Sequence, residues 1–250
     1  MKTLSTLFTA TLLMVLSACG GGSSSAPATN SPAQGMWQGT SSANSTITIF
    51  VLGDGSYYII HSPPNNPSSI DGFIQGTGAA TASPGTFTSS DMKDFIFGTT
   101  TPLSATMSAN YTAKQSFNGT VTVGSGSLTF TTTYSSAYET VPTLGAIAGT
   151  YTGTAVVVSV GNGASILTVS SAGALSDDGG NCQLTGSVSS RSEGNVYNFT
   201  ASFPSTCPNT AVAGKTFTGM AYFNAATKGL YVMAPNAARN DGVFYIGSKP

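Results

Sequence analysis

Few residues in this chain of 250 can do chemistry, and they are scattered. His61 is the single histidine, and it stands beside Ser62-Pro63-Pro64-Asn65-Asn66-Pro67. Nucleophilic hydrolysis needs a nucleophile, a base within hydrogen-bond reach and a group that orients the base. One histidine at the rim of a Pro-rich loop reads instead as a solvated strand-end residue, and no catalytic triad is expected. Two acidic clusters remain, Asp91-Met92-Lys93-Asp94 and Asp177-Asp178. Paired carboxylates serve glycoside hydrolysis or bind calcium. Asp177-Asp178-Gly179-Gly180-Asn181 is the better calcium candidate, because hard cations take several oxygens from a flexible loop. It lacks the fuller oxygen-rich pattern of an EF-hand loop, and turn chemistry explains Asp-Gly and Gly-Asn equally well. No catalytic residue, metal or cofactor is therefore expected.

The N-terminus addresses location. Lys2 is the only charge before Cys19, an apolar stretch runs from Leu7 to Leu16, and the small residues Ser17 and Ala18 follow. This is the three-part layout of a signal peptide over residues 1–18. The stretch is too short for a hydrocarbon core, which needs about 20 apolar residues. The tetrad Leu16-Ser17-Ala18-Cys19 resembles the lipobox of bacterial prolipoproteins. The resemblance implies cleavage before Cys19, diacylation of its thiol and acylation of the new amino group, so the membrane becomes a partner through a lipid anchor. Gly20 rather than Asp after the cysteine implies, by resemblance to Gram-negative lipoproteins, sorting to the outer membrane. Gly20 to Ser25 reads Gly-Gly-Gly-Ser-Ser-Ser, and Ala26 to Gln34 has no apolar period. Residues 19–34 are thus expected to form a flexible tether. With Cys19 lipidated, Cys182 and Cys207 remain as an even pair in a compartment where disulfides persist, and they are expected to bond. The enclosed loop of about 25 residues corresponds to a stabilisation on the order of 3–4 kcal/mol.

Composition agrees with an exported body. Charged residues make up 7% of the chain, and removing Lys2 leaves seven basic against nine acidic residues, a side-chain charge of −2. There is no basic patch, so nucleic acid is not an expected partner. Thr46–Leu52 and Tyr57–Ile60 are β-branched and aromatic runs around Gly53-Asp54-Gly55-Ser56, the pattern of a hairpin. Further strands are expected near Phe73–Gly78, Phe95–Phe97, Ser104–Tyr111, Ser116–Val123 and Leu128–Tyr134, with one weakly helical, turn-like segment at Ser89–Asp94. The expected fold class is all-β.

The second half echoes the first. Gly35-Met36-Trp37-Gln38-Gly39-Thr40 matches Gly149-Thr150-Tyr151-Thr152-Gly153-Thr154, and Lys114-Gln115-Ser116-Phe117-Asn118-Gly119 matches Lys215-Thr216-Phe217-Thr218-Gly219 with one gap. This reads as an internal duplication into tandem antiparallel β-barrel or sandwich halves, residues 35–142 and 145–250, the second carrying the disulfide. The Gly-x-Trp opening resembles the first strand of lipocalins, in which the Trp closes one end of a ligand-holding barrel. The residues alone equally describe an aromatic plug in a filled β core. Tyr57, Tyr58, Tyr134, Tyr138 and Tyr197 read either as an adaptable contact face or as ordinary packing. A membrane-spanning barrel is disfavoured by the tether and by a C-terminus, Ile246-Gly247-Ser248-Lys249-Pro250, without a terminal aromatic residue.

Cys182-x-Leu184-x-Gly186, the Tyr-containing strand Val196–Phe203, Cys207 and Phe217-x-Gly219 loosely resemble uncharacterised envelope lipoproteins of proteobacteria, a resemblance that implies location and no activity. The function expected is a non-enzymatic binding, adhesion or antigen role with a protein or host-ligand partner. A structural or accessory role in an outer-membrane complex competes with it, and a lipocalin-like small-ligand binder is the lesser alternative.

Overall fold

A computed structural model describes residues 30–250. Cys19, the signal peptide and most of the expected tether lie outside the described residues. The chain forms two closed antiparallel barrels of eight strands each, as the tandem all-β expectation requires. The first contains β1 (Gly35–Ser41), β2 (Thr46–Val51), β3 (Ser56–His61), β4 (Gly72–Thr77), the short β5 (Ala79–Ala80), β6 (Gly85–Ile96), β7 (Leu103–Thr112), β8 (Ser116–Val123) and β9 (Gly126–Tyr134). Its order is β4-β3-β2-β1-β9-β8-β7-β6, and pairing of β4 with β6 closes the ring, while β5 prolongs β4 along β6. A 3₁₀ turn (Ser136–Glu139) and α1 (Leu144–Ile147) connect the two barrels. The second barrel is β10 (Gly149–Val157), β11 (Gly161–Val169), β12 (Ala174–Asp177), β13 (Thr185–Ser190), β14 (Tyr197–Ser202), β15 (Thr216–Asn224), β16 (Gly229–Pro235) and β17 (Gly242–Ser248), in chain order and closed by β10 on β17.

Strand chemistry follows what each face meets. In β7, Ala105, Met107, Ala109 and Tyr111 are buried while Ser104, Thr106, Ser108 and Asn110 are exposed, the period of two of a strand with one wet face. By contrast, β4 and β16 are buried almost throughout. Their outward faces join a third apolar core between the barrels, built from Met36, Phe50, Tyr58, Phe73 and Phe95 on one side and Val156, Met220, Tyr222, Met233 and Phe244 on the other. Phe50 meets Tyr222 at 5.1 Å between ring centroids, and Phe97 meets Phe244 at 5.2 Å. Two ion pairs flank this core: Arg191 with Asp54 and Arg239 with Asp91, each at 3.0 Å.

The barrels share a closing device. The Trp37 indole N–H donates to the carbonyl of Ala33, and the Tyr151 hydroxyl donates to the carbonyl of Ile147, four residues earlier in each case. Ala33 and Ile147 are fully buried, so a short turn folds under each barrel and the aromatic residue seals that end. Of the span expected as a tether, residues 31–34 form a turn docked on the barrel: the Ser31 amide bonds Gly53 O and that of Gln34 bonds Ser31 O.

Gly39 and Gly153 also correspond. A Cβ on Gly39 would lie 1.9 Å from Thr131 O, and one on Gly153 would lie 2.0 Å from Ile246 O, so in both barrels the first strand bends against the last at a position only glycine fits. The second matched motif does not superpose by strand order. Phe117 and Gly119 lie on β8, the seventh strand of their barrel, whereas Phe217 and Gly219 lie on β15, the sixth of theirs. The weakly helical reading of Ser89–Asp94 is corrected: the segment is part of β6. Between the pairs Ser89↔Met107 and Met92↔Ala105 it holds one residue more than its partner strand, a bulge whose polar residues imitate a turn.

Candidate binding site

The two barrels differ at the ends opposite their aromatic seals. In the second, the segment between β14 and β15 folds over that end and buries Cys207 and Val212 in the barrel core. The Cys182 and Cys207 sulfurs sit at disulfide distance, their Cα atoms 4.4 Å apart, which ties this cover to the β12–β13 connection. The first barrel has an open mouth there. Leu103, Val123 and Leu128 stand at its rim, 43%, 37% and 46% exposed despite being large and apolar. Register places them on the inner face: Leu103 is opposite Asp94, which is opposite Ile74 of the core, and Leu128 is opposite Val121. The mouth leads into a cavity of about 120 Å³ walled by Ile47, Ile49, Ile59, Ile74, Val121 and Phe130. Beneath it, Trp37, Tyr57, Phe87 and Phe117 fill the barrel in edge and tilted contacts.

One polar pair sits in the apolar wall. His61 ends β3 opposite Ile47, and its Nε2 lies 3.0 Å from Asp94 Oδ1. The two side chains are 14% and 17% exposed. A carboxylate oxygen accepts, so the imidazole Nε2–H is the donor in this pair. Gly72 faces His61 across the β3–β4 ladder, and a Cβ there would lie 2.9 Å from Nε2. The glycine leaves the space that the imidazole fills.

These positions correct the reading of His61 as a solvated strand-end residue. The Pro-rich loop after it suggested water, but the ring turns into the barrel and is held by a carboxylate 33 residues away. They also separate the acidic cluster. Asp94 enters the mouth, while Asp91, displaced by the bulge, points outward to the Thr77 amide and hydroxyl and to Arg239. Burial pushes the Asp91 carboxyl up, but the Thr77 hydrogen bonds and the Arg239 guanidinium outweigh it and hold it below the ordinary carboxylate value. Asp177 accepts the amides of Gly179 and Leu184, and Asp178 accepts that of Ile166, so both carboxylates serve turns. Among the described residues no three His, Cys, Asp or Glu side chains converge as a metal-holding group.

No protein-family model matches the chain, and no curated protein matches it. Two solved structures resemble it at 9% identity. A protein of unknown function of the DUF3598 family from Nostoc punctiforme aligns over 87% of this chain and 94% of its own, with a TM-score of 0.30. The isotype 1 transferrin binding protein B of serogroup B Neisseria meningitidis aligns over 86% of this chain and 66% of its own, with a TM-score of 0.28. Likeness at this level assigns neither a site nor an activity.

The tyrosines do not form a contact face. Tyr57, Tyr58, Tyr138 and Tyr197 are buried, and half-buried Tyr134 donates to Glu139. Burial raises the phenol pKa of Tyr57 and Tyr197 above the ordinary value, consistent with packing roles. No helix among the described residues is long and apolar enough to cross a membrane. A groove of about 290 Å³ between the barrels, beneath Pro67–Ile70, shares Ile47 and His61 with the mouth. Chemically, the mouth combines an apolar slot with one carboxylate–imidazole pair. Among the described residues no hydroxyl hydrogen-bonds the imidazole.

Proposed function

We propose that the protein is an envelope lipoprotein, acylated at Cys19, that displays a rigid pair of barrels from the outer membrane and binds ligand non-covalently at the open mouth of its first barrel. The observation that carries this reading is the contrast between barrels. One end of the second is covered by a loop that contributes to its core, whereas the equivalent end of the first exposes Val123 and Leu128 around an apolar cavity, with Leu103 exposed on the same inner face. Exposed apolar rims on a concave site are a standing cost in water that ligand contact relieves.

The chain path supports display. The polypeptide enters the first barrel at its Trp37 end, and the mouth lies at the far end of the seven-residue β1, roughly 20 Å away at about 3.3 Å per residue. A lipid at Cys19 tethers the closed end, and the mouth is free to face ligands of the medium or of a host.

Anything that binds the folded state alone raises thermal stability with its concentration. Toluene, a small neutral ring, is expected to raise the melting temperature of the wild-type protein saturably and to leave a Leu103→Lys/Leu128→Lys variant unchanged. Equal shifts in both proteins would contradict the mouth as the site. For the anchor, a fatty-acid analogue fed to cells is expected to label the wild type and not Cys19→Ser, and label on the variant would overturn lipidation there.

A further inference from the structure

The composition of the mouth points beyond an unspecified apolar ligand. Its wall residues include no Lys or Arg, and the one carboxyl group among them is that of Asp94, paired with His61. The neighbouring cation, Lys93, is turned outward to Ser104 Oγ at 2.7 Å. Asp94 Oδ1 is engaged by His61, and Oδ2 accepts no hydrogen bond among the described residues. A carboxylate in an apolar wall gains most from a second charge-assisted donor. An anionic head, as on a fatty acid or a phosphate ester, would meet the Asp94 carboxyl group in a wall without Lys or Arg. The cavity limits size: its volume of about 120 Å³ is slightly less than the roughly 150 Å³ in which apolar pockets hold a benzene ring.

We infer that the first barrel's mouth recognises a small amphipathic amine, with the ammonium group on Asp94 and an apolar body of one ring or a short alkyl chain among Ile47, Ile59, Ile74 and Phe130. This rests on the mouth being a binding site and adds the class of ligand.

Three ligands of matched shape test it: benzylammonium, benzyl alcohol and benzoate, titrated at neutral pH into the folded protein and followed through the backbone amide signals of the mouth residues. Benzylammonium is expected to bind about tenfold more tightly than benzyl alcohol, the scale of one charge-assisted hydrogen bond, with benzoate weakest. Asp94→Asn should bring benzylammonium down to the level of benzyl alcohol while leaving benzyl alcohol unchanged. Leu128→Lys, at an exposed rim position, should weaken benzylammonium and spare benzoate. Benzoate binding as tightly as benzylammonium, or an unchanged order in Asp94→Asn, would overturn the amine preference and leave the mouth as a site. Failure of all three ligands to shift any mouth signal would overturn the site as well.

Discussion

Trp37 and Tyr151 occupy the same place in their respective barrels, each at the third position of a first strand and each donating to a carbonyl four residues before it. The ring seals the barrel and the hydrogen bond fixes the turn beneath it, so the two functions separate by substitution. Tyr151→Phe keeps the ring and is expected to cost about 1 kcal/mol, whereas Trp37→Ala empties a fully buried site and should cost about 3–5 kcal/mol, both read from urea unfolding. A Trp37→Ala cost as small as that of Tyr151→Phe would show that Trp37 does not seal the first barrel.

Gly39 and Gly153 carry the barrel bends. An added methyl group would run into the backbone of β9 or β17, which cannot move aside without breaking the ladder. Gly39→Ala and Gly153→Ala should each destabilise by more than about 2 kcal/mol, beyond the typical single substitution. Gly163→Ala, where a Cβ meets nothing within 4 Å, is the control and should be near neutral. Comparable effects at all three positions would indicate that close approach is not what requires glycine.

Much of this architecture is written in the sequence, and the omissions have physical causes. One wet face makes β7 and β8 legible by alternation, and the turn of the β2–β3 hairpin shows at Gly55, which sits at φ 81°. The mouth is not legible in the same way. Along β3, Tyr57, Ile59 and His61 face the barrel interior while Tyr58 and Ile60 face the core between barrels, so apolar residues occupy both phases and do not reveal which way His61 turns. Its partner Asp94 lies beyond the bulge, which shifts the phase of β6 by one residue and hides it from a reading by period. Gly72 was the available signal: a glycine opposite the histidine marks a space reserved for the ring. The exposed rim of Leu103, Val123 and Leu128 follows from what fails to cover it, which strand patterns do not record.

The cover of the second barrel depends on Cys182 and Cys207, which are 25 residues apart. Loop-closure entropy for that separation is about 3.5 kcal/mol. Reduction, or Cys182→Ser with Cys207→Ser, is expected to lower unfolding stability by a comparable amount and to expose the second barrel's core to an apolar dye. Stability unchanged by reduction would count against the bond.

Acid should loosen the contact between barrels. Burial raises the Asp54 and Asp91 carboxyls, but hydrogen bonds from Ser56 and Thr77 together with Arg191 and Arg239 outweigh it, so both lie below the ordinary value in the folded protein. A carboxyl depressed by folding contributes stability that is present above its unfolded pKa and is lost as pH falls through its folded pKa. The unfolding midpoint should therefore drop below about pH 4. In Arg191→Gln/Arg239→Gln that acid-dependent drop should shrink. An identical acid profile in wild type and variant would remove these pairs as its source.

The central claim is that the first barrel binds at its open mouth, and mapping toluene by amide chemical shifts tests it most directly. Saturable shifts at Ile49, Ile59, Val121 and Phe130, with Tyr151, Phe217 and Phe223 of the second barrel silent, are the result expected. Shifts confined to Tyr222, Tyr231 and Ile246 in the groove between barrels, or none at the mouth, would contradict it.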